Sequence, residues 1–376
     1  MRTLTSARTP ALVLDRDKAA RNMARMRDRL AIAAPGLRLR PHLKTAKSIP
    51  VAEMLFAGGR GPITVSTLRE AEVFGEAGFT DVLYAVGLDP SKIGRVAALR
   101  RRGIDLKVIT DNPEVAGAIS AAAAGSPIPT LIEIDVDGHR AGLPWANGAA
   151  MAAVAAALGS NLAGVMTHAG GSYALSEPDR LARASLDEAR RAVHAADLLR
   201  QAGFSVKIVS IGSTPTGLSA SDLTGVSEFR AGVFMFGDLV MHGIGVCPLD
   251  HIALSVLASV TGFYPERGRA IIDAGWMALS RDRGTAEQAV DQGYGLVCDL
   301  DGRPLDDVVV IAANQEHGTI APRPGSGAAL PPLRVGDRVR VLPNHACATA
   351  AQHGSYEVIE GGSAEIVARW ERFHGW

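Results

Sequence analysis

Apolar, β-branched runs recur along the first two thirds of the chain, at residues 37–44, 61–67, 81–87, 105–111, 129–138, 162–170, 206–214 and 228–237. Between most of them lie segments with apolar residues at helical spacing, such as 67–78 and 91–102, which end near glycine as helices tend to. The interval from Gly170 to Val206 is longer and predicts one amphipathic helix over 177–202. Eight strands alternating with helices over roughly 200 residues predict a parallel (β/α)8 TIM barrel, with an open doubly wound sheet as the alternative.

After about residue 248 the helical period fades. Short β-rich runs appear at 253–262, 268–273, 293–298, 307–312, 337–342 and 365–369, separated by turn residues such as 299–303 and 322–331. These predict a separate antiparallel β-domain, which the strand at 9–15 is expected to join. The expected division is a barrel over 16–247 and a β-domain made of 1–15 and 248–376.

The barrel prediction carries a demand of its own, because barrel chemistry sits at the carboxyl ends of the strands. Polar and glycine-rich residues collect there: His42 and Lys44, Ser66 and Thr67, Arg140, His168 and Ser172, Gly212 to Thr216, and Gly237.

Composition narrows the function classes. The 376 residues are 47% hydrophobic and 21% charged, so a large core is available, and 39 basic residues balance 39 acidic ones. Nothing favours nucleic acid, whose binding rests on clustered Lys and Arg. No apolar stretch is long enough to span a bilayer, the Ala-rich run at 149–158 being short. Three cysteines, Cys247, Cys298 and Cys347, are too few for a disulfide framework. The start lacks the apolar segment of a secretory signal. The expectation is a soluble, cytoplasmic protein.

Lys44, in Pro41-His-Leu-Lys-Thr45, falls at the end of the first barrel strand. A lysine at a barrel mouth can form a Schiff base with an aldehyde cofactor; the bland alternative is a surface lysine, for which neighbouring Lys47 is the better candidate. Gly212, Ser213 and Thr214, in Ile211-Gly-Ser-Thr-Pro-Thr216, offer the backbone N–H groups and hydroxyls that match a phosphate, at the address after strand seven where barrels often bind one. Gly232 and Val233 are expected to form the second half of that cup. In the β-domain, Asn344-His-Ala-Cys347 places His345 and Cys347 two apart. On a strand they would face one way and could reach one ion, a nitrogen–sulfur pair that suits zinc. A buried thiol on an ordinary strand is the bland alternative.

The segments Thr9-Pro-Ala-Leu-Val-Leu-Asp15 and Pro41-His-Leu-Lys-Thr45, with Ile63-Thr-Val-Ser-Thr-Leu-Arg-Glu-Ala-Glu72, Asp273-Ala-Gly-Trp-Met277 and Asn314-Gln-Glu-His-Gly318, resemble the fold-type III pyridoxal-phosphate enzymes. Within that group the chain is similar to the D-serine dehydratase and D-threonine aldolase family, over nearly its whole length. The resemblance implies an alanine-racemase-like barrel in which Lys44 carries pyridoxal 5'-phosphate and Arg140 holds the cofactor phenolate. His168 would stack on the pyridine ring. Tyr173 or Arg230 would meet the ring nitrogen.

It further implies that His345 and Cys347 hold a divalent ion, left open between zinc, manganese, magnesium and cobalt. Family dehydratases carry His-x-Cys at this place and aldolases tend to carry His-x-Asp, so Cys347 favours elimination of water. The expected reaction is dehydration of a D-3-hydroxy amino acid, such as 3-hydroxyaspartate or D-serine, to an oxo acid and ammonia. Retro-aldol cleavage to glycine and an aldehyde is the rival; a bare-barrel cofactor carrier and a racemase are weaker ones. Asn344, Gln315 and His317 are candidate supporting groups. Arg281, Arg283 and His353 are weaker candidates for holding a second substrate carboxylate. The resemblance also implies a head-to-tail homodimer, with each barrel mouth covered by the partner's β-domain.

Overall fold

The computed structural model describes residues 2–123 and 125–376. They divide into two compact units, one made of residues 25–232 and 375–376, the other of residues 1–24 and 233–374. The chain opens with β1 (Ala11–Asp15) and α1 (Arg16–Ala33).

The strands of the first unit are β2 (Arg38–Leu39), β3 (Ile63–Val65), β4 (Asp81–Gly87), β5 (Asp105–Thr110), β6 (Thr130–Asp135), β8 (Leu162–Met166), β9 (Ile208–Ile211) and β10 (Glu228–Phe229). A two-residue strand, β7 (Leu143–Pro144), pairs beside β6. All the pairings are parallel, in the order β2-β10-β9-β8-β6-β5-β4-β3. A parallel bridge between His42 and Thr64 closes β2 onto β3, which makes the sheet a barrel rather than an open doubly wound sheet. Several strands are shorter than the apolar runs that predict them. In the run at 228–237 the strand proper is only Glu228–Phe229; hydrogen bonds to the neighbouring strands continue through Ala231, and the chain then turns through a 3-10 segment, Val233–Met235.

Helices alternate with these strands: α2 (Ile49–Leu55), α3 (Leu68–Glu76), α4 (Ile93–Arg101), α5 (Pro113–Ala122), α6 (Gly148–Leu158), α7 (Pro178–Gln201) and the one-turn α8 (Thr214–Leu218). Their starts follow local rules. Thr67 caps α3 by accepting from Glu70 N, Asn112 caps α5, and Pro113 and Pro178 occupy first-turn positions where a missing N–H costs nothing.

The barrel interior is divided. Leu83, Ile109, Leu131 and Met166, one from each of four neighbouring strands, form an apolar layer, and burying each contributes roughly 1.5–3 kcal/mol. The other side is a polar column. Fully buried Arg40 donates to Glu228 (2.8 Å) and to Asp81 (2.8 Å), Ser210 Oγ donates to Glu228 (2.7 Å), and Arg230 donates to Ser210 Oγ (2.6 Å) and to the Thr167 carbonyl. Each charge in the column has an opposite charge or a hydrogen bond beside it, as burial demands.

In the second unit the strands are β11 (Leu254–Tyr264), β12 (Arg269–Ile272), β13 (Leu296–Cys298), β14 (Pro304–Ala313), β15 (Gly318–Pro322), β16 (Arg338–Leu342), β17 (Ser355–Ile359) and β18 (Ala368–Glu371). β12, β15, β14, β13, β16 and β11 pair in that order, and β12 also pairs with β11, closing an antiparallel barrel. β1 joins this sheet, antiparallel to β11 and parallel to β17. Three short helices complete it, α9 (Leu239–Gly243), α10 (Trp276–Leu279) and α11 (Ala346–Ala350).

Candidate active site

At the barrel mouth the ladder continues past β2, as His42 N donates to Ala231 O and Leu43 N to Thr64 O. A tight turn over residues 43–46 then presents Lys44, which is exposed. Among the described residues of this unit its amine has no hydrogen-bond or ion-pair partner. Lys47, expected to be the surface lysine of the pair, is the tethered one: it is half-buried, and its amine lies 3.2 Å from the buried carboxylate of Glu70. The turn leaves Lys44 at the mouth, as expected, and ties Lys47 back to Glu70.

Cations surround this position. Burial and the charges of Lys44, Arg230 and Arg140 hold the His42 imidazole well below its usual range. Its Nδ1 is buried without a hydrogen-bond partner. His168, in the loop after β8, is pushed down to about 3, first by burial and then by Lys44, Arg230 and Arg140, although a bond from Nδ1 to Gly212 O (2.9 Å) works the other way. Both imidazoles are therefore neutral at pH 7. The glycines beside His168 do not leave it open space. A Cβ on Gly170 would fall 2.1 Å from the His139 ring, so His139 fills that side. Tyr173 stands on another side, its ring 6.1 Å from the His168 ring and tilted by 52°. Arg140 lies exposed in the loop after β6 and pairs with neither Asp135 nor Asp137 among the described residues. Those two acids instead accept backbone N–H groups of Asp137, Gly138, His139 and Gly171.

Gly212 opens the loop after β9 with φ +140°, a conformation L side chains rarely adopt, and a Cβ there would come within 1.9 Å of Arg230 O. Ser213 and Thr216 cap each other at the start of α8, which Thr214 begins. Gly232 approaches the first strand closely, since a Cβ on it would lie 2.9 Å from His42 O. Val233 follows as the first residue of the 3-10 turn. One group behind this loop is not among the candidates the sequence singles out. Glu188, in mid-α7 and 1% exposed, accepts from Gly212 N (2.9 Å), Ala169 N (3.2 Å) and Thr216 Oγ1 (2.7 Å). The available signal was its place among Leu181, Ser185, Ala189 and Ala192, the buried stripe of the helix.

The donor set suits pyridoxal phosphate. A free lysine amine, a cup of glycines and hydroxyls too close for a Cβ, and an unpartnered buried nitrogen meet at the carboxyl ends of the strands.

In the second unit, the expectation that His345 and Cys347 share a strand is corrected. His345 is extended, with φ −132°, and Cys347 lies inside α11. The run Ala346-Cys-Ala-Thr-Ala350 is short and rich in helix formers, and buried Asp238 accepts Ala346 N (2.9 Å), turning the chain into the helix. The two side chains still meet, because the His345 ring N–H donates to the Cys347 sulfur. Asp282 accepts from His345 Nδ1 at 2.6 Å. Burial disfavours the charged ring, but the Cys347 sulfur and Asp282 outweigh it and push the imidazole up to about 11. Among the described residues, no three His, Cys, Asp or Glu side chains form a metal-binding cluster. The pair thus offers one imidazole nitrogen and one sulfur, with a carboxylate orienting the ring from behind, the donor chemistry of an open metal site.

Around it, Asn344 donates to Gly293 O (2.6 Å) and accepts from Thr285, tying down the loop that carries Asp282. Arg283 is paired with Asp291 (2.6 Å), Arg281 stacks over Trp276 at 4.0 Å, and His353 bonds the Ala278 carbonyl (2.9 Å). Gln315 and His317 are exposed in the β14–β15 hairpin.

The alanine racemase N-terminal domain family matches residues 14–240, and a putative serine dehydratase domain matches residues 253–359. D-threo-3-hydroxyaspartate dehydratase of Delftia sp. is 50% identical over 100% of this chain and 99% of its own. 3-Hydroxy-D-aspartate aldolase of Paracoccus denitrificans is 31% identical over 96% of this chain and 90% of its own. A solved cysteine-to-alanine variant of D-threo-3-hydroxyaspartate dehydratase, in the metal-free form, superposes with a TM-score of 0.95 at 48% identity, covering 100% of both chains. This chain therefore belongs to the family that joins an alanine-racemase N-terminal domain to a serine dehydratase domain.

Proposed function

We propose that the protein is a pyridoxal-phosphate- and metal-dependent lyase that dehydrates a D-3-hydroxy amino acid, foremost D-threo-3-hydroxyaspartate, to an oxo acid and ammonia. The observation that carries this reading is the conjunction of an unpaired Lys44 at the barrel mouth with a His–Cys pair, not a His–Asp pair, in the β-domain. The 50% identity to a dehydratase of that substrate supports it.

Lys44, Arg140, His168, Tyr173, Gly212, Ser213, Thr214, Gly232 and Val233 would hold the cofactor. When bound, pyridoxal phosphate supplies the electron sink for negative charge at the substrate Cα. The Lys44 amine takes the α-proton. Neutral His168 offers a flat face for the ring without adding charge. Tyr173 is better suited than Arg230 to the ring nitrogen, because Arg230 already commits both terminal nitrogens to Ser210 and Thr167 O. His345 and Cys347 would hold a divalent ion, which supplies Lewis acidity for departure of the β-hydroxyl. Asp282 keeps the His345 ring oriented. Water is lost in the elimination and regained in hydrolysis of the imine, so the net products from 3-hydroxyaspartate are oxaloacetate and ammonia.

A carboxylate-bearing substrate would need a cation, and Arg281 is the better candidate, since Arg283 and His353 already have partners. No helix among the described residues is long and apolar enough to cross a membrane. The reading includes a cytoplasmic enzyme working as a homodimer, which sedimentation would check. A substrate panel of D-serine, D-threonine and the four 3-hydroxyaspartates, with and without EDTA, tests the reaction. Glycine plus aldehyde as the products would favour the aldolase reading suggested by the 31% relative.

A further inference from the structure

The buried carboxyl of Glu188 stands directly behind the loop read as the phosphate cup, an unexpected place for a negative charge. Its two oxygens have different company. Oε1 accepts from two backbone amides, Gly212 N and Ala169 N, which can only donate. Oε2 meets the Thr216 hydroxyl at 2.7 Å, which can donate or accept. Ionised and neutral forms of the carboxyl are therefore both satisfied without any heavy atom moving.

The hydroxyl chain continues outward. Thr216 Oγ1 lies 2.9 Å from Ser213 Oγ, and Ser213 Oγ lies 2.9 Å from Ser172 Oγ, which donates to Ala169 O (2.7 Å). When Glu188 is ionised, the Thr216 proton points at it, and the Ser213 proton is drawn inward to Thr216 or Ser172. When Glu188 is neutral, its own proton goes to Thr216, Thr216 donates to Ser213, and the Ser213 proton is released towards an incoming anion.

We propose that Glu188 is a positioning residue for the cofactor phosphate, which takes up a proton when a phosphate monoester occupies residues 211–216, so that cofactor retention weakens as pH rises. This rests on the reading of that loop as the phosphate site. A dianion and a carboxylate close together in a buried, low-dielectric site repel strongly, and neutralising the carboxyl removes the repulsion. Of the charged and titratable groups around Glu188, Arg230 after β10 acts on it electrostatically, Asp137 after β6 and Asp187 and Arg191 on α7 share a cavity wall with it, and His168 after β8 bonds the carbonyl of Gly212, whose N–H Glu188 accepts. Asp137, Asp187 and Arg191 line, with Glu188, a cavity of about 230 Å³. Arg230, lowered by burial to about 10, and His168, at about 3, do not change charge between pH 6 and 9. Burial has already pushed the Glu188 carboxyl up to about 7, so the proton is within easy reach.

The test is binding of pyridoxal phosphate and of pyridoxal, which lacks the phosphate, to the full-length apoprotein from pH 6 to 9, followed by absorbance. In the wild type, affinity for pyridoxal phosphate should fall by up to about tenfold per pH unit above neutrality relative to pyridoxal, the slope of one linked proton. Glu188→Gln should remove that slope while keeping tight binding, because the amide copies the neutral carboxyl: its oxygen accepts from Gly212 and Ala169 and its nitrogen donates to Thr216. Should the slope persist in Glu188→Gln, the proton is not at Glu188 and the proposal fails. Should Ser213→Ala leave the preference for pyridoxal phosphate over pyridoxal unchanged, the phosphate assignment itself fails, and the proposal with it. If Glu188→Gln does not fold, proton uptake by the wild type in weak buffer at pH 8 decides. More uptake with pyridoxal phosphate than with pyridoxal supports the proposal, and equal uptake overturns it.

Discussion

Two histidines of this molecule are driven to opposite charge states, and the difference separates its two candidate centres. At the barrel mouth, burial and three neighbouring cations press His168 down to about 3, so the ring is neutral. In the β-domain, Cys347 and Asp282 outweigh burial and raise His345 to about 11. The first environment suits an anionic, electron-poor ring with a phosphate tail. The second is an anionic nest into which a cation can move, displacing the proton the imidazole holds. The barrel centre is assembled from five strand ends, each giving one to three groups. The β-domain pair comes from three consecutive residues and one supporting loop.

The comparison can be broken most severely at Lys44. Lys44→Ala should abolish the visible absorbance of the bound cofactor and lower turnover by at least about 10²–10⁴-fold, the usual range for losing a positioned acid–base group. Full activity with the band intact would remove the barrel centre from the account.

At the other centre, His345→Ala or Cys347→Ala should strip the metal, read by elemental analysis, while leaving cofactor absorbance in place. Asp282→Asn should lower metal affinity by about 10–100-fold without removing it, since that residue only orients the ring. Wild-type metal content in all three variants would show that the pair is not a metal site.

Gly212→Ala sharpens the barrel side. Its Cβ would meet Arg230 O at 1.9 Å, so stability should fall by about 1–3 kcal/mol in denaturant melts, and retention of pyridoxal phosphate should fall more than that of pyridoxal.

The smallest effect concerns pH. His168 has its folded pKa below the ordinary value of 6.5, so the unfolded chain binds the extra proton first as pH falls. Stability of the apoprotein should therefore drop below pH 6.5, and His168→Asn should flatten that drop. An unchanged slope in the variant would show that the ring is not held neutral.

Much of this was legible in the sequence because the barrel repeats one simple pattern. Apolar runs alternating with helical stripes by themselves place Lys44, Arg140, His168 and Gly212 at strand ends. Strand lengths were less legible: 228–237 reads as one apolar run, yet pairing ends at Ala231, because the chain turns at Gly232 into a 3-10 segment. In the β-domain the strands at Gly318–Pro322 and Ser355–Ile359 are five-residue segments, too short for a period-two pattern to mark, although Tyr356, Val358 and Ile359 are buried. The His345–Cys347 pair was found by residue type and misplaced by conformation, as period-two reasoning cannot see that Asp238 turns the chain into a helix at Ala346. Glu188 was missed because a glutamate on a long amphipathic helix is usually solvated, and only its register on the buried stripe says otherwise.

The most direct measurement is the product balance from D-threo-3-hydroxyaspartate with the metal-loaded holoenzyme. The account predicts one ammonia and one oxaloacetate per substrate consumed, lost on chelation and restored by a divalent ion. Glycine and glyoxylate in place of ammonia, or ammonia release indifferent to chelation, would contradict it.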